Sequence, residues 1–197
     1  LKTNELSIHP LEIESPNSTG NNGSVQTFEQ WSSNVDNESC GILLIDNLDS
    51  FTLNIAHAIA GMGHIVTVID GRGETADELS EPSTLFNLLQ QLNPSHIIIG
   101  PGPGNPSDSL LSNTISLHCL AGQIDCPVLG ICLGHQSLAT AEQGVVKKSP
   151  NGAIHGTPIT CYHDGEGIFA GLKNPQLFTR YNSLTVEINS PNSQLMI

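Results

Sequence analysis

Four short apolar runs constrain the fold of this chain more than anything else in it: Gly41-Ile42-Leu43-Leu44-Ile45, Ile65-Val66-Thr67-Val68-Ile69, His96-Ile97-Ile98-Ile99 and Val128-Leu129-Gly130-Ile131. Each is nearly continuous in apolar side chains rather than alternating, the pattern of strands covered on both faces, as in a parallel sheet. Helical patterns lie between and after them. Thr52 to Met62 carries Leu53, Ile55, Ala56, Ile59 and Ala60 in helical register and meets a stop at Gly63. Ser83 to Leu92, Leu110 to Ala121 and Leu133 to Gln143 follow. Such alternation predicts an α/β fold with a doubly wound, mostly parallel sheet and functional groups at the carboxyl ends of its strands. Beyond residue 143 the texture changes to strand-like pieces, Ile154 to Tyr162, Leu177 to Tyr181 and Leu184 to Ile188, separated by Asp164-Gly165 and Asn174-Pro175. These predict an antiparallel extension of the sheet.

Residues 1–39 read differently. They are rich in Asn, Ser and Glu, hold a single basic residue, Lys2, and show no sustained apolar period, so a disordered leader is expected ahead of a domain spanning 40–197. Trp31, the only tryptophan, is either a docking point for the leader or an incidental exposed ring. The 197 residues suit one ordinary domain plus this excess. Nineteen acidic residues against six basic ones, a formal charge of −13, leave little cationic surface for nucleic acid or anionic lipid. Cys40, Cys119, Cys126, Cys132 and Cys161 form no C-x-x-C pair and no metal-ligand spacing, which fits a reducing, cytoplasmic setting without a metal or other cofactor. No run reaches the roughly 18–20 apolar residues of a membrane span, and no signal peptide is evident. The chain opens on Leu1 and stops on Gln194-Leu195-Met196-Ile197, which reads as the beginning of a strand, so a fragment of a longer polypeptide is expected.

Four motifs carry the chemistry. In Gly130-Ile131-Cys132-Leu133-Gly134-His135-Gln136 a cysteine stands between two glycines where a strand passes into a helix. In such an elbow the glycines remove side chains that would clash, and the nucleophile stands exposed on a strained backbone. The positive helix end beginning at Leu133 is expected to favour the thiolate, although a buried structural thiol fits the same residues. Gly100-Pro101-Gly102-Pro103-Gly104-Asn105-Pro106 follows the third strand directly. Its prolines stiffen it and its glycines admit a ligand to the backbone, which suits an oxyanion hole built from the amides of Gly104 and Leu133, or a simple turn. No Gly-Lys-[Ser/Thr] follows, so it is not a phosphate loop. Asp46-Asn47-Leu48-Asp49-Ser50-Phe51 ends the first strand and is suited to capping the next helix. Arg180-Tyr181-Asn182-Ser183-Leu184 is uninformative by itself.

Taken together and in this order, the four segments resemble the class I glutamine amidotransferases, over about Gly41 to Glu187. The likeness is greatest to the glutaminase component of the chorismate-using enzymes, anthranilate synthase and aminodeoxychorismate synthase. The resemblance implies a flavodoxin-like fold and an attack by Cys132 on the side-chain amide of L-glutamine, with release of ammonia through a glutamyl thioester. It further implies that Gly102, Pro103 and Gly104 line the substrate carbonyl, that Gln136 holds the glutamine, and that Ser183 and Leu184 meet its amino-acid end. Asp49 and Ser50 would face a synthase subunit or fused synthase domain. His135 would not be the base. In the family a histidine of an H-P-E triplet near the C-terminus plays that part, and the chain ends before one appears, so little turnover is expected of these 197 residues. His155 and His163 match a region upstream of the triad, and His9-Pro10-Leu11-Glu12 carries an inserted leucine. Leu48 replaces a tyrosine of the family pattern and Asn182 a histidine. The aminodeoxychorismate branch is favoured because Thr157 follows His155-Gly156 where the anthranilate branch often has lysine. Other readings are the anthranilate component, a non-catalytic amidotransferase-like partner, and an unrelated cysteine hydrolase of similar fold.

Overall fold

A computed structural model describes residues 10–12, 25–28, 41–150, 152–188, 193 and 195. The chain divides into two compact units, one formed by 1–144 with 188–197 and the other by 145–187.

The first unit is built on a six-stranded sheet. Its strands are β1 (Pro10–Glu12), β2 (Val25–Phe28), β3 (Ile42–Asp46), β4 (Val66–Asp70), β5 (His96–Ile99) and β6 (Val128–Gly130), in the spatial order β1-β2-β4-β3-β5-β6. The pairings β4/β3, β3/β5 and β5/β6 are parallel, and β1/β2 and β2/β4 are antiparallel. All four apolar runs are therefore the parallel strands of one sheet. β1 and β2 fall in the segment expected to be a disordered leader; the rest of that segment, with His9 and Trp31, lies outside the described residues. No apolar period announces either strand, and their backbones join the sheet through the free edge of β4.

Both sheet faces are covered. Leu43, Ile45, Ile69, Ile97 and Ile99 point to one face and pack with Ala76, Leu85, Leu111, Ile115 and Leu138. The intervening Leu44, Val66, Val68 and Ile98 point to the other and pack with Ala56 and Ile59. The helices that supply these partners are α1 (Thr52–Gly61) on the second face, and α2 (Glu74–Leu79), α3 (Pro82–Leu92), α4 (Leu110–Leu120) and α5 (Leu133–Ala141) on the first. Each fully buried Leu or Ile contributes about 1.5–3 kcal/mol, which is why period-two alternation is missing from these strands. The helix α2 escapes the sequence pattern: it is six residues long and follows Gly71-Arg72-Gly73, a run that reads as loop.

The chain leaves β3 for β4 on one side and then crosses to β5 on the other. This reversal opens a crevice at the carboxyl ends of β3 and β5, where ligands of open α/β sheets bind. The loops that follow β3 and β5 flank that crevice, and the turn after β6 lies beside β5.

The second unit holds two separate antiparallel ladders. β7 (Val145–Lys148) pairs with β10 (Leu184–Glu187), and β8 (Ile154–Cys161) pairs with β9 (Gln176–Asn182). The expected antiparallel extension of the main sheet is thus corrected: the strands occur where the sequence places them, but they pair among themselves. β8 and β9 are mostly exposed, with Leu177, Phe178 and Tyr181 open to solvent, unlike the enclosed parallel strands β3, β4 and β5; the edge strand β6 leaves Leu129 exposed.

Candidate functional site

The elbow is sterically compelled. Cys132 has φ 54° and ψ −103°, a conformation seldom taken by a residue with a side chain, and it immediately precedes α5. Its two glycines have no substitute. A Cβ on Gly130 would lie 2.5 Å from the Gly134 carbonyl carbon and from the His135 nitrogen, and one on Gly134 would lie 2.1 Å from the Ile99 carbonyl oxygen. The same Ile99 oxygen accepts the Ile131 N–H at 2.9 Å, so the end of β5 fixes the turn from outside. Cys132 is exposed, whereas Leu133 is fully buried beneath it.

The thiol does not have the lowered pKa that a helix N-terminus suggests. Partial burial pushes it up, the Leu133 amide donating to the sulfur pulls it down, and the Asp49 carboxylate raises it further. Desolvation is the largest of these causes, and the hydrogen bond from the first amide of α5 opposes it. Asp49 is therefore close enough for its charge to be felt at the sulfur, a relation its position in sequence does not announce.

The loop after β5 is held by side chains from three other segments. Asn47, fully buried, donates from Nδ2 to the Gly100 carbonyl at 3.0 Å. Its Oδ1 accepts from Ser109 Oγ at 2.6 Å and from Ser112 Oγ at 2.9 Å, tying the loops after β3 and β5 to the start of α4. Asp108 Oδ2 accepts the Asn105 N–H at 2.7 Å. Arg72, following β4, donates from Nη2 to the Pro103 carbonyl at 2.5 Å. Gly102 is needed because a Cβ there would lie 2.5 Å from Asn47 Cβ, and Gly104 adopts φ 80°. Of these anchors, Asn47 lies within the Asp46–Phe51 motif and Asp108 just after the Gly100–Pro106 motif, in an Asn-x-x-Asp capping pattern; Arg72 carries no local signal at all.

The loop after β3 is a pair of carboxylate-closed turns. Asp46 Oδ1 accepts the N–H groups of Leu48 and Asp49, at 2.9 and 3.2 Å, and Asp49 Oδ1 accepts that of Phe51 at 2.8 Å, just ahead of α1. Ser50 is exposed beside Leu48 and Phe51, which are 60% and 54% accessible. Downstream of the elbow, Gln136 is buried with its Oε1 unpaired among the described residues, as are Ser137 Oγ and His135 Nε2. Burial lowers the pKa of His135, so the ring is neutral near pH 7.

Ser183 and Leu184 belong to the second unit. There Arg180 donates to Asn182 Oδ1 at 2.7 Å and to Ser149 Oγ at 2.9 Å, the Ser183 carbonyl accepts the Ser149 N–H at 3.0 Å, and Asn182 Nδ2 donates to the Leu184 carbonyl at 2.8 Å. The Arg-Tyr-Asn-Ser-Leu segment is thus a locally braced corner between β9 and β10. His163 is engaged structurally: Nδ1 accepts the Gly165 N–H at 3.1 Å, Nε2 bonds the Lys173 carbonyl at 3.2 Å, and the ring stacks on Phe169. His155 packs edge-on against Tyr181. Among the described residues no group of three or more His, Cys, Asp or Glu side chains is arranged to hold a metal, and no helix is long and apolar enough to cross a membrane.

Residues 43–197 match the family model of glutamine amidotransferase class-I. The chain belongs to the class I glutamine amidotransferases. It is 42% identical over 154 residues to anthranilate synthase component 2 of Pyropia yezoensis, a match covering 77% of this chain and 74% of that protein. It is 40% identical over 149 residues to aminodeoxychorismate synthase component 2 of Escherichia coli K12, covering 76% and 72%. Among solved structures, a glutamine amidotransferase from Thermotoga maritima superposes with a TM-score of 0.55 at 18% identity, over 75% of this chain and 62% of that one, a likeness of fold. The mostly parallel central sheet of this class I amidotransferase agrees with that likeness of fold.

Proposed function

We propose that this amidotransferase domain, residues 40–197, releases ammonia from L-glutamine for a chorismate-using synthase, and that Cys132 is its nucleophile. The observation that carries this reading is the Cys132 backbone: an exposed thiol on a positive-φ turn whose two glycines admit no side chain. Such strain persists where surrounding structure enforces it, characteristically at reacting groups.

In the proposed reaction the Cys132 S–H bond breaks as the sulfur bonds to the side-chain amide carbon, and the carbonyl oxygen becomes an oxyanion. Collapse of that adduct breaks the C–N bond, with the proton given up by the thiol passing to the nitrogen as ammonia leaves. Water then adds to the thioester and returns the thiol and glutamate. The amides of Leu133 and Gly104 serve as oxyanion donors. Elimination supports Gly104: Pro101, Pro103 and Pro106 have no N–H, that of Gly100 is spent on Ile45, and that of Asn105 on Asp108, which leaves Gly102 and Gly104 in this loop. Gly102 and Pro103 line the carbonyl. Gln136, whose Oε1 is buried without a donor, holds the glutamine. Ser183 and Leu184 meet its amino-acid end, and Asp49 with Ser50 faces the synthase.

Aminodeoxychorismate synthase is the favoured partner, on the strength of Thr157. Anthranilate synthase is the alternative, supported by relatives of that name. Titrating the chain in turn with a glutaminase-free synthase of each kind, and measuring complex formation with and without glutamine, tests both without requiring turnover of these 197 residues. Binding to one synthase assigns the branch; binding to neither contradicts the proposal.

A further inference from the structure

We infer that Arg72 is a positioning residue for the oxyanion hole: it holds the Pro103–Gly104 peptide so that the Gly104 N–H faces the reacting carbonyl. The inference rests on the proposed reading of Gly104 as a donor.

A peptide group is planar and trans, so its C=O and N–H point in opposite directions. Fixing the carbonyl of Pro103 therefore fixes the N–H of Gly104. Arg72 Nη2 donates to that carbonyl at 2.5 Å. Glycine at 104, at φ 80°, would otherwise let this peptide rotate at little cost. The prolines at 101 and 103 stiffen their own φ angles but exert no direct hold on the plane that follows Pro103. The far side of the peptide is secured by the Asn105 N–H on Asp108, so the plane is pinned from both neighbouring sides.

The guanidinium lies against the loop: a Cβ built on Gly102 would stand 3.4 Å from Nη2, an ordinary contact. Arg72 Nε is buried and has no partner among the described residues, so the side chain is committed to this position at the expense of one donor. A charged donor on the carbonyl also polarises the whole peptide, making its N–H a stronger donor to an anion. Orientation and polarisation act together on the tetrahedral adduct and only weakly on the neutral substrate. Arg72 should then affect binding of an oxyanion-like ligand and spare glutamine itself.

An aldehyde analogue of glutamine separates these effects, because the Cys132 S–H adds across its C=O to give a tetrahedral hemithioacetal. Affinity is measured calorimetrically for the aldehyde with the chain as it stands, and for glutamine in a Cys132→Ala background. Arg72→Met is expected to weaken the aldehyde at least about tenfold, less than the roughly 10²–10³ of losing a donor outright, with glutamine affinity and thermal midpoint unchanged. Arg72→Lys, which keeps a charged donor, is expected to recover most of the loss and serves as the variant of record if Arg72→Met does not fold. Unchanged aldehyde affinity in both variants, or an equal fall for aldehyde and glutamine, overturns the role of Arg72. If instead Cys132→Ala binds the aldehyde as well as the parent does, it is the nucleophile assignment that fails.

Discussion

The elbow and the far end of the loop after β5 are held in different ways. The elbow at 130–134 is fixed by backbone atoms that cannot move: the hypothetical Cβ atoms of Gly130 and Gly134 run into main chain of α5 and β5. The loop at 100–106 shares that crowding only at its start, where Cβ atoms on Gly100 and Gly102 would lie 2.5 Å from the Ile45 carbonyl oxygen and 2.8 Å from that of Asn47. Its far end is held by the side chains of Arg72 and Asp108, and the Cβ of Gly104 would meet only the movable carboxylate of Asp108, at 2.2 Å. The elbow is a rigid stage for the sulfur. The far end of the loop is an adjustable one whose amides are set by partners.

Substitutions should expose that contrast. Gly134→Ala, with a methyl 2.1 Å from the Ile99 oxygen, should destabilise the fold by about 3 kcal/mol or more, read as a shift of the urea midpoint. Asn47→Ala leaves Ser109, Ser112 and the Gly100 carbonyl short of a buried partner and should cost about 1–3 kcal/mol, together with slower modification of Cys132. Gly104→Ala should cost about 1–2 kcal/mol for its left-handed φ. Combining it with Asp108→Ala should cost less than the sum of the two single changes, because the clash is with that carboxylate; strict additivity in a double-mutant cycle would contradict the adjustable picture.

The smallest effect is electrostatic. The Cys132 thiol lies above its ordinary range, so the thiolate fraction at neutral pH is low, and the rate of alkylation should climb with pH to a midpoint above that of free cysteine. Asp49→Asn removes a charge that disfavours the thiolate, and the midpoint should move down, while remaining elevated because burial is the larger cause. An upward shift would show that Asp49 acts otherwise than through its charge.

The same contrast explains how much the sequence discloses. The elbow is legible because its requirement is local: two glycines around a cysteine, between an apolar run and a helix. The parallel strands are legible because covering both faces leaves no room for polar alternation. Arg72 and the Asn47 network are not, since their roles arise when chain segments 31 to 65 residues apart are brought together. Strand β7 is not legible because Val145-Val146-Lys147-Lys148 is too short to show a period, and its partner β10 lies beyond the intervening β8 and β9. The upward shift of the thiol was equally hidden, because it is set by burial and by Asp49 rather than by the helix end that the sequence does show.

Site-mapped labelling with a chloroketone analogue of glutamine, followed by mass spectrometry, tests the role of Cys132 most directly. Modification at Cys132 alone, up to one equivalent and suppressed by free glutamine, is expected. Labelling distributed over Cys119, Cys126 and Cys161, or labelling of Cys132 that glutamine does not slow, would contradict it.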